Sequence, residues 1–287
     1  MMPGPMEVQE PEPEYDPWDE SPGPEEATLE RAWEAIDADD PERALSELSG
    51  LDPDWPDRWI PEAIALTDLG ELRRARTALE RVRAVAEVDD HPDFLWAEGQ
   101  LFLCEWRIDE AEAALTRLVA IEPSAAAYER LSLVADLRTD FDAADRLLHE
   151  SAQLGNGSAL APVRLSDEEF DRVLGEAIDE LPDEFRRPLE TTEILVEPVP
   201  AEWMIDRADP GETPPDVLGL FVGASELEGS DDESGRLPRR IFLFQRNLER
   251  FARSRAELVE EIRVTLFHEI GHMLGFDEAG VEAMGLE

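Results

Sequence analysis

The chain has 287 residues, of which 70 are Asp or Glu and 26 are Lys or Arg, so its formal net charge is −44. This charge argues against nucleic acid and against anionic membrane surfaces as partners, because their phosphate groups would be repelled. A hydrophobic content of 42 % is sufficient for packed cores. The sequence has no run of 18 apolar residues and only one cysteine. We therefore expect a cytoplasmic protein without an internal disulfide and without a membrane span.

The first segment, residues 1–26, is acidic and rich in proline, with the sequence MMPGPMEVQEPEPEYDPWDESPGPEE. It has neither the basic region nor the apolar region of a signal peptide. Its composition predicts a disordered, extended tail. Tyr15 and Trp18 are the positions at which such a tail could anchor a partner, and a purely solvated tail is the alternative.

The next segment, residues 27–155, has a repeated helical pattern in which an alanine is followed by a leucine four positions later. The alanines are separated by 31, 36 and 33 residues. Each alanine follows a turn-like segment, and each turn-like segment follows an apolar helix. The four pairs are Ala44 with Leu48, Ala75 with Leu79, Ala111 with Leu115, and Ala144 with Leu148.

This pattern resembles the tetratricopeptide repeat, in which small residues let paired helices pack closely and successive pairs stack into a superhelix. The resemblance implies an all-α array with a concave face for peptides or partner proteins. The alternative is an array that only supports the domain that follows it.

The pattern changes after the array. The breaker LGNGS, followed by Pro162, predicts a linker over residues 156–164. Ser166 to Glu169 has the pattern of a capping box, which predicts a helix that Pro182 ends. Three β-like runs follow, namely EILVE (193–197), VLGLFV (217–222) and RIFLF (240–244). A second capping box begins a last helix, which ends at Gly275. The two helices and the three β-like runs together predict a small α+β domain over residues 165–287.

The last helix contains His268-Glu-Ile-Gly-His272, an HExxH motif. Residues four positions apart lie one above the other on a helix, so both imidazoles can reach one ion, and neutral imidazole nitrogens suit zinc. Glu269 is rotated about 100° around the helix from His268. It can therefore bind a metal-bound water without being a ligand, and accept the proton of that water. The motif thus predicts Zn²⁺ on His268 and His272, with Glu269 as the general base.

The segment from about Leu165 to Leu286 resembles the minimal zincin-like metallopeptidase family of bacteria. The matching stretches, in the order of the family, are FDRVLGEAIDELPDEF, EILVEPVP, LGLFVGASEL and LPRRIFLFQRNLERFARSRAELVEEIRVTLFHEIGHMLGFDE. The resemblance implies a zincin-like fold and zinc-dependent hydrolysis of peptide bonds through a zinc-activated water. It also implies an edge strand that pairs with an extended substrate, which residues 217–222 or 240–244 could supply.

The resemblance also assigns roles to residues. Its short-spacing motif, HExxHxxGxx followed by a ligand, implies that Glu278 is the third metal ligand beside the two histidines. Asp277, the neighbouring carboxylate, is the main alternative as third ligand, and Glu282 is a further candidate.

We therefore predict a multidomain protein, with an all-α tetratricopeptide-like array followed by a small α+β zincin-like domain. Its predicted function is that of a zinc metallopeptidase, with a peptide or protein substrate and an array that recruits a partner or the substrate. The alternative is a zinc-binding module that is not proteolytic and acts through protein interactions.

Overall fold

The computed structural model of the protein describes residues 23–155, 163–205, 210–223, 239–276 and 280. Residues 1–22 of the predicted tail, 156–162 of the predicted linker, and the candidate ligands Glu278 and Asp277 lie outside this description. Within it, no helix has the length and apolar character needed to cross a bilayer.

Eight helices form the first part of the described chain, and several begin at residues that favour a helix start. Proline occupies the first helical position in three of them. The side chains of Asp40, Ser124 and Asp140 each accept a backbone N–H in the first turn of the helix that follows. The first helix begins at Pro24, so the last residues of the predicted tail are helical. The helices are α1 (Pro24–Asp37), α2 (Pro41–Leu48), α3 (Trp59–Asp68), α4 (Leu72–Val85), α5 (Pro92–Cys104), α6 (Ile108–Ile121), α7 (Ala125–Leu137) and α8 (Phe141–Leu154).

Each odd-numbered helix of this part ends in a turn that contains one residue with positive φ. These residues follow one another at intervals of 31, 36 and 33 positions, the same intervals as the alanines of the sequence pattern. They are Asp39 (φ 57°), Gly70 (φ 72°), Trp106 (φ 56°) and Thr139 (φ 60°). In each turn the next amide bonds the carbonyl five residues earlier, as from Glu71 to Leu66 at 2.8 Å, which is the geometry of a Schellman motif. We call this row of four residues the turn edge.

The helical character of residues 27–155 is confirmed, and the turns recur with the period of the sequence. The four alanines of the pattern are all 0 % exposed, as expected for small residues that let paired helices pack closely. That the units are tetratricopeptide repeats stays a prediction.

The second part of the described chain is a small α+β unit. The predicted capping box is present, since the Ser166 hydroxyl accepts from the Glu169 amide at 3.3 Å and the Glu169 carboxylate accepts from the Ser166 amide at 3.2 Å. Two short helices that the sequence analysis did not predict precede the first strand and follow the last one. The elements are α9 (Asp167–Glu180), α10 (Asp183–Leu189), β1 (Glu193–Glu197), β2 (Gly219–Val222), β3 (Arg240–Phe244), α11 (Gln245–Phe251) and α12 (Arg255–Leu274).

The three strands form one sheet with β3 at its centre. β3 is parallel to β1 and antiparallel to β2. Ile241 and Leu243 of β3 pack with Leu266 and Ile270 of α12 in the core of this part. β3, one of the two candidate substrate strands, has a neighbouring strand on each side and therefore no free edge in the described sheet. β2, the other candidate, has a free edge there and lies beside α12.

An ion-pair network joins the array to the second part. Asp136 of α7 is fully buried and forms ion pairs with Arg246 and Arg250 of α11. The other members are Arg246 with Asp145 (2.6 Å), Arg164 with Asp145 (2.5 Å) and Arg164 with Glu249 (2.7 Å). The network contains three arginines and three carboxylates, so it is balanced in charge. Arg164, which the sequence analysis placed in the linker, belongs to this interface.

We expect Asp136→Asn to destabilise the protein by about 3 kcal/mol, because it leaves two largely buried guanidinium groups without a full countercharge. The free energy of unfolding in urea measures the effect. Asp109→Asn is the matched control, since Asp109 is exposed and pairs with an exposed arginine, and it should cost at most about 1 kcal/mol. Equal losses in the two variants would contradict a stabilising role for the buried network.

Candidate metal centre

Helix α12 carries the HExxH motif close to its C-terminal end. Ser254 caps the start of the helix, because its hydroxyl accepts from the Glu257 amide at 3.2 Å. Gly275 caps the end with φ 99°, a left-handed conformation that glycine adopts without strain. The predicted start and end of this helix are confirmed, but the second capping box is incomplete, because the Glu257 carboxylate accepts from the Arg253 amide at 2.8 Å and not from the Ser254 amide.

The two histidines of the motif face each other across one turn of α12. Their Nε2 atoms lie 2.9 Å apart. Nδ1 of His272 lies 3.1 Å from the carbonyl oxygen of Phe276. Because a carbonyl oxygen only accepts, Nδ1 carries the proton in this contact, and the lone pair of His272 is on Nε2. The Phe276 carbonyl thus fixes the tautomer in which Nε2 of His272 can bind a metal.

The turn at Gly275 places this carbonyl. The Phe276 amide donates to the Gly271 carbonyl at 3.1 Å, so the chain folds back over the last turn of α12 immediately after the glycine.

We expect Gly275→Ala to lower the free energy of unfolding by about 1–2 kcal/mol, because a side chain is strained at positive φ. Zinc affinity should fall about tenfold, because the carbonyl that orients His272 is displaced. Competition with a chelator and thermal unfolding measure the two effects. Gly175→Ala is the matched control, because a Cβ at Gly175 in α9 meets no atom within 4 Å, and this change should not lower zinc affinity. Unchanged zinc affinity in Gly275→Ala would show that the turn does not orient the ligand.

Glu269 lies on the buried side of α12, against strand β2. Its exposed fraction is 6 %. A Cβ placed on Gly219 of β2 would lie 2.6 Å from Thr265 Cγ2 and 2.9 Å from Glu269 Oε1, so only glycine allows this approach of strand and helix. The sequence analysis missed Gly219. A glycine inside the apolar run VLGLFV was the available signal, since such a glycine often marks a close contact.

The two imidazoles fit zinc. Two nitrogens at 2.0–2.1 Å from a tetrahedral zinc ion are about 3.3 Å apart, so a change of less than about 0.5 Å from the observed separation is sufficient. In the described part of the chain, no group of three His, Cys, Asp or Glu side chains forms a complete metal site. The third ligand, whether Glu278 or Asp277, lies outside that part, so its assignment stays a prediction.

Comparison with known proteins agrees with this geometry. Residues 189–286 match the model of the family described as Zincin-like metallopeptidase. The match covers about one third of the chain and includes all three strands, α12 and its motif. The search of curated proteins gave no match to the chain. The C-terminal part of the protein is therefore similar to zinc metallopeptidases of the zincin type, which supports the corresponding prediction.

Proposed function

We propose that residues 165–287 form a zinc-dependent peptidase domain, in which His268, His272 and Glu278 hold the metal and Glu269 is the general base. The observation that carries the proposal is the pair of Nε2 atoms 2.9 Å apart, with the Glu269 carboxylate one position along the same helix. When bound, zinc would polarise the scissile carbonyl and make the attacking water more acidic. Burial raises the pKa of the Cys104 thiol to about 12, which argues against this cysteine as an alternative nucleophile.

Glu269 is suited to move the proton. Its side chain is 6 % exposed and packs against Gly219 of β2, which limits the positions that the carboxylate can adopt. In this role it accepts a proton from the attacking water and delivers it to the leaving amine. A fixed carboxylate in a buried site avoids the reorganisation that a mobile, hydrated carboxylate would need.

Strand β2 offers an edge on which an extended peptide can add. The Phe244 amide donates to the Leu218 carbonyl at 2.9 Å. Because bonded pairs alternate along an antiparallel ladder, Leu220 also exchanges bonds with β3, and the N–H and C=O groups of Gly219 and Phe221 point away from it. These groups would pair with the backbone of a substrate, directly beside Glu269.

A cleft between the array and the peptidase domain is lined by Leu218, the residue immediately before β2, together with Leu133 of α7 and Phe251 of α11. Its volume is about 780 Å³. A peptide that leaves β2 at Leu218 would enter this cleft and contact the array. We therefore propose that residues 27–155 help to recruit the substrate, and that the protein acts on peptides or proteins in the cytoplasm.

Cleavage of a peptide library by the zinc-loaded protein tests the proposal, with Glu269→Gln as the comparison. Products that are formed by the wild type and lost in the variant would support a peptidase. If both proteins bind one zinc and neither forms products, the alternative of a non-proteolytic binding module gains support.

A further inference from the structure

The segment that leads into strand β2 contacts the turn edge of the array. The Trp106 indole N–H donates to the Thr213 carbonyl at 2.9 Å. A Cβ at Gly211 would lie 2.6 Å from the Gly70 carbonyl oxygen, so the two backbones touch. Residues of two successive turns, Gly70 and Trp106, therefore hold one segment of the peptidase domain.

A third contact comes from the next unit of the array. Arg130 of α7 forms an ion pair with Asp216, with 2.6 Å between Nη1 and Oδ2. Asp216 precedes Gly219 by only three positions. Because three extended residues span at most about 10 Å, an anchor at Asp216 limits where β2 can begin.

The opposite side of the same segment is bound by the peptidase domain itself. The Asn247 side chain of α11 donates to the Pro215 carbonyl at 3.0 Å and to the Val217 carbonyl at 2.8 Å. The segment is thus held from both sides immediately before β2. Gly219 follows two residues after Val217, and a Cβ at this position would lie 2.9 Å from Glu269 Oε1, so the strand approaches Glu269 closely.

The backbone at Trp106 gives a second, independent reason to assign a role to this residue. Its φ of 56° is unfavourable for a bulky side chain, and Gly70 occupies the equivalent position in the preceding unit. A tryptophan at this position is not explained by the turn, which glycine would form with less strain. It is explained by the indole hydrogen bond to Thr213.

We propose that the turn edge of the array, together with Arg130 of α7, sets the position of strand β2 beside Glu269, with Trp106 and Arg130 as positioning residues. The contacts form a continuous path from the array to the carboxylate, by way of residues 211–219. The inference goes beyond the proposed peptidase function, because it concerns the position of a strand and can be tested without a substrate.

Amide hydrogen exchange of the full-length protein tests the proposal in peptides that cover residues 217–223. Trp106→Phe keeps an aromatic ring and removes the donor, and it should speed exchange in β2 by about three- to tenfold, the effect of losing one hydrogen bond. Exchange in β1, residues 193–197, should not change. Trp33→Phe is the matched control, because Trp33 is a half-buried tryptophan of the array that packs within the array core.

A second pair of variants tests the ion pair. Arg130→Gln should also speed exchange in β2, whereas Arg130→Lys keeps the charge and should retain slow exchange. Arg117→Gln, which removes an ion pair to Asp90 within the array, should leave β2 unchanged. Unchanged exchange in β2 for both Trp106→Phe and Arg130→Gln would overturn the proposal. An equal rise in β1 and β2 would also overturn it, because it would show loss of stability in the whole domain.

If the protein cleaves peptides as proposed above, a kinetic result separates positioning from binding. Trp106→Phe should then lower kcat with zinc content unchanged, because Glu269 is displaced relative to the reacting water. An effect confined to KM would contradict the positioning of Glu269. If no peptide is cleaved, the exchange experiment still tests whether the array positions β2. Failure of the peptidase proposal and failure of the positioning proposal are therefore distinguishable.

Discussion

Glu269→Gln is expected to reduce peptide hydrolysis by at least about 100-fold, the effect typical of removing a general base. Glutamine keeps the size of the side chain and its hydrogen bonds, but it cannot accept the proton of the attacking water. Zinc should stay bound at one ion per chain, because the carboxylate of Glu269 is not assigned as a ligand. Initial rates on a cleaved peptide and elemental analysis of the same sample measure both quantities.

Glu260→Gln is the matched control for this prediction. Glu260 is an exposed residue of α12, about 13 Å along the helix from Glu269 at 1.5 Å per residue. It undergoes the same chemical change on the same helix and should keep full activity. If Glu269→Gln loses zinc together with activity, Glu269 would be a metal ligand and the assignment of a general base would be wrong.

His272→Ala is expected to lower zinc affinity by more than about 100-fold. Loss of a group that hydrogen-bonds to a metal ligand lowers metal affinity by about 10- to 100-fold, and loss of the ligand itself should exceed that range. The variant also removes the hydrogen bond from Nδ1 to the Phe276 carbonyl, which orients the imidazole. Titration against a chelator of known affinity measures the change.

Two further histidine variants make this result specific. His91→Ala and His149→Ala remove the exposed histidines of the array and should leave zinc affinity unchanged. A comparable loss in either of them would place a zinc site in the array instead. Glu278→Ala and Asp277→Ala, measured in the same titration, distinguish the two candidates for the third ligand, and we expect only Glu278→Ala to weaken binding.

The histidine pair could be predicted from the sequence because its geometry is local. His268 and His272 belong to one helix, so the spacing of four positions alone determines that their side chains meet. The bounds of β1 and β3 could also be predicted, because each is a short apolar run, ILV in β1 and IFLF in β3, with polar residues on both sides. The start of β2 was placed two residues too early. Val217 and Leu218 have strand-like side chains, but the Asn247 amide binds the Val217 carbonyl and holds it out of the ladder.

The contacts around Glu269 could not be predicted, because they join distant parts of the chain. Trp106 and Thr213 are separated by 107 positions, and no periodic pattern in a sequence predicts a contact at that distance. The role of Arg164 was missed for the same reason, since its partners Asp145 and Glu249 lie on opposite sides of it in the sequence. Helix α11 was missed because it follows β3 directly, without a turn residue between them.

The sheet order has a consequence for the sequence of folding events. β1 pairs in parallel with β3, whose first residue Arg240 lies 47 positions after Glu193, and β2 comes from the crossover between them. The array forms mainly from contacts between neighbouring helices, which close shorter loops and so form faster. It is also synthesised first. We therefore expect the turn edge to be complete before β3 enters the sheet, so that the array acts as a template on which the crossover closes.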